Sequence, residues 1–408
     1  MSGFLQRLGV PRRINAAGTL TRLGGALMAP EVLQAMQEAA GASVDVAELQ
    51  TAASARIAEL TGAQAGLVTS GASAGLTLAT AACLAGWDSA RMAALPDARG
   101  MPHRVLMHRT HRNSYDHAVR LAGAQIVDVG HNDRGTGAGV RALEAWEIEA
   151  ALDERTAAFV FVASAESLPQ LPVVAEVMHR HGHPVVVDAA AQLPPRENLR
   201  RFIAMGADLV VFSGGKALGG PQSTGLLIGR RDLVGSALLQ MMDMDVHPLT
   251  WAPAGLVDRE RLRGTPLHGI GRGFKVGKEE VAGLLCALER FVHGDDAAQQ
   301  RLWSQRLRAV EQGLRAQRAA CAGLLLELQE ASGQQAVPLL HLHLGAAGDA
   351  AAAQAAGALC RRLQSRPLPV HLVEGRLDEG VVSINPLALH PDDDRLLVEA
   401  IAQALQAR

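Results

Sequence analysis

The sequence predicts an α/β fold, a mostly parallel sheet with helices on both faces and a smaller domain after it. Two observations carry this expectation. Short apolar runs at residues 66–69, 104–108, 125–129, 157–163, 184–188 and 209–212 alternate with helical patterns up to Val211. In addition, Ser70, His111 and Asp188 all fall at the carboxyl ends of these runs, which is where open α/β sheets bind ligands.

The bulk properties exclude several functions. The 408 residues suffice for a large core and more than one domain. Net charge is −2, charged residues make up 20%, and no lysine/arginine run is interleaved with aromatics, so no nucleic-acid partner is expected. Aromatics at 3% leave few surfaces on which bases could stack. Cys83, Cys286, Cys321 and Cys360 have no paired spacing and read as reduced, mostly buried thiols of a cytoplasmic protein. Neither a secretory leader nor a membrane span is expected, because the chain has no run of eighteen apolar residues.

Taken in order, residues 1–45 read as an arm, with a small-residue stretch at 15–25 that carries Asn15 and Arg22, and a helix opened by Pro30. Residues 46–270 form the large domain and 271–408 a linking helix and small domain. In the large domain a helix over 45–60 precedes the 66–69 strand. Ser70-Gly71-Ala72-Ser73 then opens a helix that runs through Cys83. A strand, a small-residue turn and a helix start together present free backbone amides to an anion; a plain cap by Ser70 is the other reading. Residues 87–102 read as a loop. His111 sits in a turn after the 104–108 strand, ahead of a short helix with His117. The spacing of His108, His111 and His117 fits no zinc pattern, so no metal is expected. Helices follow over 144–152 and from Pro172 to Gly182.

Beyond Arg230 the pattern loosens, and residues 241–248 read as a loop. Arg272, Lys275 and Lys278 precede a helix over 279–292, and positive charge there opposes the helix dipole unless an anion lies near. The small domain is expected to have helices over 296–321, 350–364 and from 391, and strands near 324–328, 339–344, 370–373 and 381–384.

The chemistry centres on residues 207–230. An apolar strand runs into Gly214-Gly215-Lys216, a glycine-rich turn follows, and a second apolar run returns at 226–228. A lysine held beside buried backbone loses its proton more easily than one in water, which is what a Schiff-base lysine needs. An exposed turn lysine is the competing reading. A phosphate-loop lysine fails on spacing, since Val210 stands where that motif needs glycine and Ala217 where it needs a hydroxyl. Upstream, residues 184–188 form another buried strand that ends in Asp188. A strand-end carboxylate followed by a turn lysine on the next strand suits pyridoxal phosphate, with the aldehyde on Lys216 and the ring nitrogen on Asp188.

At this point the chain resembles a known family. The stretches Ile14 to Gly25, Thr69 to Ser73, His111 to His117, Val187 to Pro195 with Gln192, Phe212 to Gln222, and Gly271 to Glu279 are similar to the fold-type I pyridoxal-phosphate enzymes. Within them they resemble the selenocysteine synthase family, on the branch of D-glucosaminate-6-phosphate ammonia-lyase. The resemblance implies a seven-stranded-type sheet and a site at a subunit interface, hence a homodimer or higher homo-oligomer. It implies cofactor contacts from Ser70, Gly71, Ala72, Ser73, His111, Asp188, Gln192, Ser213 and Lys216, with His111 stacked on the pyridine. It also implies substrate contacts from Asn15, Arg22, Arg272 and Lys275. One departure weighs against a selenium transferase: Leu23-Gly24-Gly25 stands where the synthases have Leu-Gly-Arg.

The function so implied is an ammonia-lyase that removes water and then ammonia from a polar β-hydroxy amino acid, such as an amino-sugar acid. Racemisation, aldol cleavage and transamination use the same groups and remain open. A selenium transferase is a weaker alternative, and a non-catalytic binding protein would need a damaged site.

Overall fold

The computed structural model describes residues 3–131, 142–253, 255–333, 335–346 and 348–406. Its strands are β1 (Ile14–Ala16), β2 (Ala65–Thr69), β3 (Arg104–His108), β4 (Gln125–Val129), β5 (Thr156–Val162), β6 (Val185–Asp188), β7 (Leu209–Ser213), β8 (Gly225–Gly229), β9 (Leu325–Gln329), β10 (Leu339–His343), β11 (Val370–Arg376) and β12 (Val381–Ile384). They form a seven-stranded sheet ordered β2-β8-β7-β6-β5-β3-β4 and a five-stranded sheet ordered β1-β11-β12-β10-β9.

Two compact units carry these sheets: residues 28–293, and residues 1–27 together with 294–408. The division differs from the expected one at 45/46 and 270/271. The helix Pro30–Ala40 and the helix Lys278–His293 pack closely together, which draws both into the larger unit. The first residues also do more than form an arm, because β1 adds a parallel edge to the five-stranded sheet beside β11. Three residues are too few to show a period of two, so the sequence carries no signal for this strand.

In the larger unit β3 to β7 run parallel, and β8 alone runs antiparallel, between β2 and β7. The chain passes from β7 to β8 through the Lys216 turn with no helix between. A connection without a crossover pairs strands antiparallel. Parallel strands covered on both faces are apolar throughout. Accordingly Phe159 and Phe161 of β5 and Phe212 of β7 are among the largest fully buried side chains.

Most expected elements stand within a few residues. Asp45 caps the helix Val46–Thr61 through the amides of Ala47 and Glu48. The expected loop at 87–102 contains a six-residue helix, Ser89–Ala94, capped by Asp88, which is too short to show periodicity. The helices Asn198–Ala204 and Arg231–Met241 were not expected at all. The long helix of the small unit ends at Ala316 rather than near Cys321. No helix among the described residues is long and apolar enough to cross a membrane.

Phe159 is fully buried in the strand next to the one that ends in Asp188. Phe159→Ala should lower unfolding stability by about 3–5 kcal/mol, read as a shift of the urea midpoint at unchanged slope.

Candidate active site at the carboxyl edge of the seven-stranded sheet

Strand register brings the predicted residues together. Asp188 closes β6 and lies beside Val211 of β7 on one side and Val162 of β5 on the other. The amide of Val162 donates to His111 Nδ1 at 3.3 Å, which seats the imidazole next to the Asp188 strand. Ser213, the last residue of β7, pairs with Gly225, and Gly225 pairs with Thr69 at the end of β2. A Cβ on Gly225 would fall 2.4 Å from the carbonyl carbon of Gly71 and 2.7 Å from the amide of Ala72. The start of the helix Ala72–Ala85 therefore lies against the strand that neighbours Ser213, three residues before Lys216.

The turn that carries Lys216 is pinned from both sides. Gly214 donates to the carbonyl of Thr224, Gly220 donates back to Gly214, and Gly219 donates to the carbonyl of Lys216. A Cβ on Gly215 would come 2.5 Å from Gln222 Cα, so only glycine lets the two sides of the loop close. Lys216 is half-buried, and its amine has no hydrogen-bond partner among the described residues. Burial lowers its pKa, and the attraction of Asp188 opposes this without overcoming it. Asp188 mirrors it: burial raises its pKa, against the amide of Ala190 bound at 3.0 Å and the charge of Lys216.

His111 is 6% exposed and lies edge-on to Phe161, ring centroids 4.7 Å apart. Burial, with a smaller push from His108, takes its pKa down to about 4. The ring is thus neutral near pH 7. With Nδ1 accepting from Val162, its proton sits on Nε2, which is buried without a partner among the described residues.

At the helix start Gly71 provides no side-chain cap, so the amides of Ala72 and Ser73 stay available, whereas that of Gly71, also expected at the cofactor, donates to the carbonyl of Thr69 at 2.9 Å. Ser70 differs from expectation, since its hydroxyl donates to the carbonyl of Phe274 at 2.7 Å and ties the 270–274 turn to this corner. Ser73 is exposed and Ser213 is half-buried. Gln192 is half-buried too, and its carbonyl accepts from Asn198.

Arg272 and Lys275 line a cavity of about 600 Å³ together with Asp45, Glu48, Asp243 and Trp251. Arg272 pairs with Asp243 at 2.6 Å, and Lys275 is exposed. Lys278 pairs with Glu279, which with Glu280 places acidic charge in the first helical turn. The anion that the dipole argument called for is thus partly internal. Asp243 was missed because its Met-rich surroundings show no periodicity. Asp243, Asp245 and His268 converge within 4.8 Å, but all three are exposed and Asp243 already holds Arg272. Asn15 and Arg22 belong to the other unit. The Asn15 amide is spent locally, donating to Gly18 and accepting from Ala17, while Arg22 is exposed.

The profile of the aminotransferase class-V family matches residues 31–242. The chain belongs to that family. Across 98% of its length it is 31% identical to D-glucosaminate-6-phosphate ammonia lyase of Salmonella typhimurium, covering 96% of that protein. It is also 31% identical, over 98% of its length, to a 5'-C-glycyluridine monooxygenase-decarboxylase of a Streptomyces species, covering 91% of it. The solved structure of a D-glucosaminate-6-phosphate ammonia-lyase matches 100% of this chain and 99% of its own, with TM-score 0.78 and 28% identity.

This class-V chain is a pyridoxal-phosphate enzyme of fold-type I. Its donor set fits that cofactor. The edge offers one amine with a lowered pKa, one buried carboxyl, one unpartnered imidazole N–H and a row of helix-start amides. The chain contains only three lysines, Lys216, Lys275 and Lys278, and of these Lys216 alone follows a strand of this edge.

Two results follow from burial. A histidine held neutral gives stability that is complete above about pH 6.5 and lost as pH falls toward 4, on the order of 3 kcal/mol for His111. His111→Phe should flatten the fall in unfolding stability across that window, measured by urea titration at several pH values. A carboxyl with a raised pKa works the other way, its contribution present below its unfolded value and lost as pH rises through the folded one. Asp188→Asn keeps an acceptor for Ala190. Without cofactor it should therefore unfold at the same or a higher temperature than wild type at pH 7, while binding the cofactor more weakly.

Proposed function

We propose that this chain is an ammonia-lyase that converts a polar β-hydroxy amino acid, such as an amino-sugar acid, into a 2-oxo acid and ammonia. What supports the reading most is the full-length likeness to D-glucosaminate-6-phosphate ammonia lyase combined with the lowered pKa of Lys216 beside Asp188.

Each group has a role in this reading. Lys216 anchors the cofactor and then, as a neutral amine, takes the proton from the substrate's α-carbon. Asp188 holds a proton on the ring nitrogen. Pyridoxal phosphate, when bound, supplies the sink for the electrons that this proton leaves behind. His111, held neutral, would pack against the cofactor and add no charge to compete with Asp188. The amides at Ala72 and Ser73, with the hydroxyls of Ser73 and Ser213 and the amide side chain of Gln192, hold the phosphate end. Ser70 contributes by fixing the Phe274 turn as well as through its own backbone. Arg272 and Lys275, which line one cavity, bind the substrate's anionic part. The β-hydroxyl leaves as water, and a water returns when ammonia is released. The net change is loss of ammonia, with no oxidant consumed.

The likeness to the monooxygenase-decarboxylase carries a second reading, since it matches the chain over the same extent and at the same identity. That chemistry would consume oxygen and release carbon dioxide. The two readings separate cleanly under anaerobic conditions, where only the lyase turns over.

We further propose a cytoplasmic homodimer acting on small molecules. The four cysteines are free, and burial pushes Cys83 up to about 12 and Cys360 up to about 11. Exposed apolar side chains such as Leu33, Val44, Leu249 and Leu267 offer surface for a second copy.

A panel of D- and L-β-hydroxy amino acids, with and without a terminal phosphate, should yield equal amounts of 2-oxo acid and ammonia without oxygen uptake. Lys216→Ala should lose that activity by at least about 10³-fold while keeping the wild-type circular-dichroism spectrum. Oxygen-dependent turnover with carbon dioxide release would contradict the lyase reading.

A further inference from the structure

The turn Ile270–Phe274 closes against the end of the helix Arg231–Met241. A Cβ on Gly269 would fall 2.6 Å from Gln240 Cα, and one on Gly271 would fall 2.8 Å from the Gln240 carbonyl oxygen. Glycine at both places lets backbone meet backbone. Arg272 is thereby brought beside Asp243, three residues past Gln240, and its Nη2 donates to Asp243 Oδ2 at 2.6 Å. Asp243 Oδ1 accepts from the amide of Asp245 at 2.9 Å. That amide first, then Arg272 and His268, outweigh burial and keep the Asp243 carboxyl below the usual carboxylate range, so it is ionised near pH 7. The same turn reaches the cofactor corner, because the Phe274 carbonyl accepts from Ser70.

Arg272 and Lys275 line their cavity together with Asp45, Glu48 and Asp243. Asp45 spends its carboxylate on the amides of Ala47 and Glu48. Glu48 and Lys275 form no ion pair among the described residues. Asp243 therefore occupies one of the two cations on which an anionic ligand depends. The two partners are not equally enclosed. Arg272 Nε is buried, whereas the Asp243 side chain is 52% exposed. If the pair parts, Asp243 returns to water and the guanidinium stays against the cavity. An exposed ion pair is weak, so a ligand can break it. A partner fixed by the fold nevertheless competes at a high effective concentration.

We propose that Asp243 is an internal competitor for Arg272, a carboxylate of the chain that the ligand's anion must displace, and that it thereby sets how strongly an anion must bind to enter this cavity. The inference rests on the proposed function for the assignment of Arg272 to the substrate's anion. A carboxylate that merely oriented Arg272 would have the opposite effect, since its loss would weaken anion binding.

The test uses the full chain loaded with pyridoxal phosphate, so that the cofactor's own phosphate site is filled. The probe is glycerol 3-phosphate, an anion without an amine, with glycerol as the uncharged control. Asp243→Asn keeps an acceptor for Arg272 and removes the charge. By calorimetry it should bind glycerol 3-phosphate about three- to tenfold tighter than wild type does, with glycerol unchanged. Asp243→Ser should do the same, so a folding failure of one variant leaves the other to decide. Asp245→Asn removes a charge from the same segment that does not touch Arg272, and should change the affinity by less than about twofold. Arg272→Gln should weaken binding, and adding Asp243→Asn to it should restore less than about twofold. Unchanged or weaker binding in both Asp243 variants with wild-type circular-dichroism spectra would overturn the proposal. So would an equal gain in Asp245→Asn, or a gain that persists without Arg272. The probe cannot be turned over by a lyase, so a chain that binds as described yet fails with every β-hydroxy amino acid would lose the lyase reading and keep this competitor.

Discussion

Partial removal of one amine and one carboxyl from water, at the ends of neighbouring strands, is the constraint to which the other features of this molecule answer. Opposite charges so placed ordinarily stabilise each other's ionised forms. Here burial outweighs the attraction on both sides: Lys216 is pushed toward the neutral amine and Asp188 toward the neutral acid. Each shift costs the empty protein stability. Each also suits a bound pyridine ring, which needs a free amine at its aldehyde and a proton at its nitrogen. The fold supports that cost with β5, β6 and β7, which are apolar along almost their whole length, and with a glycine-closed turn that lets Lys216 approach the sheet edge.

The remaining groups follow from the same edge. His111 is neutral because Phe161 and His108 crowd it, and its orientation is set by one backbone amide of β5. The helix start at Ala72 reaches the edge because Gly225 has no side chain to hold it off. These features serve any reaction that begins by removing a proton next to a cofactor-bound amine. Two relatives with equal identity and different named activities are consistent with that. What separates such activities must lie in groups that touch the substrate, and Arg272 and Lys275, which line one cavity, are candidates in this chain.

Much of this was legible in the sequence, for identifiable reasons. Buried parallel strands are short apolar runs, and glycine and proline punctuate them, so the position of Ser70, His111 and Asp188 at the carboxyl ends of strands followed from the alternation. Lys216 stood out because glycines flank it. Residues whose contacts come from distant parts of the chain were not readable. The Ser70 hydroxyl is directed to Phe274, 204 positions away, and Arg272 is held by Asp243 from an unpatterned Met-rich segment. β1 was hidden by its length, and Asn15 by a turn that spends its amide within three residues. The lysine count was there to be read, and by itself it narrows the cofactor-bearing amine to three positions.

That count also makes the anchoring amine directly measurable. Borohydride reduction of the cofactor-loaded protein, followed by peptide mass mapping, reports which amine carries the cofactor. A single modified peptide containing Lys216, with Lys275 and Lys278 unmodified, is the expected result. Cofactor mass on Lys275 or Lys278, with Lys216 untouched, would contradict the assignment of Lys216 and with it the roles given to Asp188 and His111.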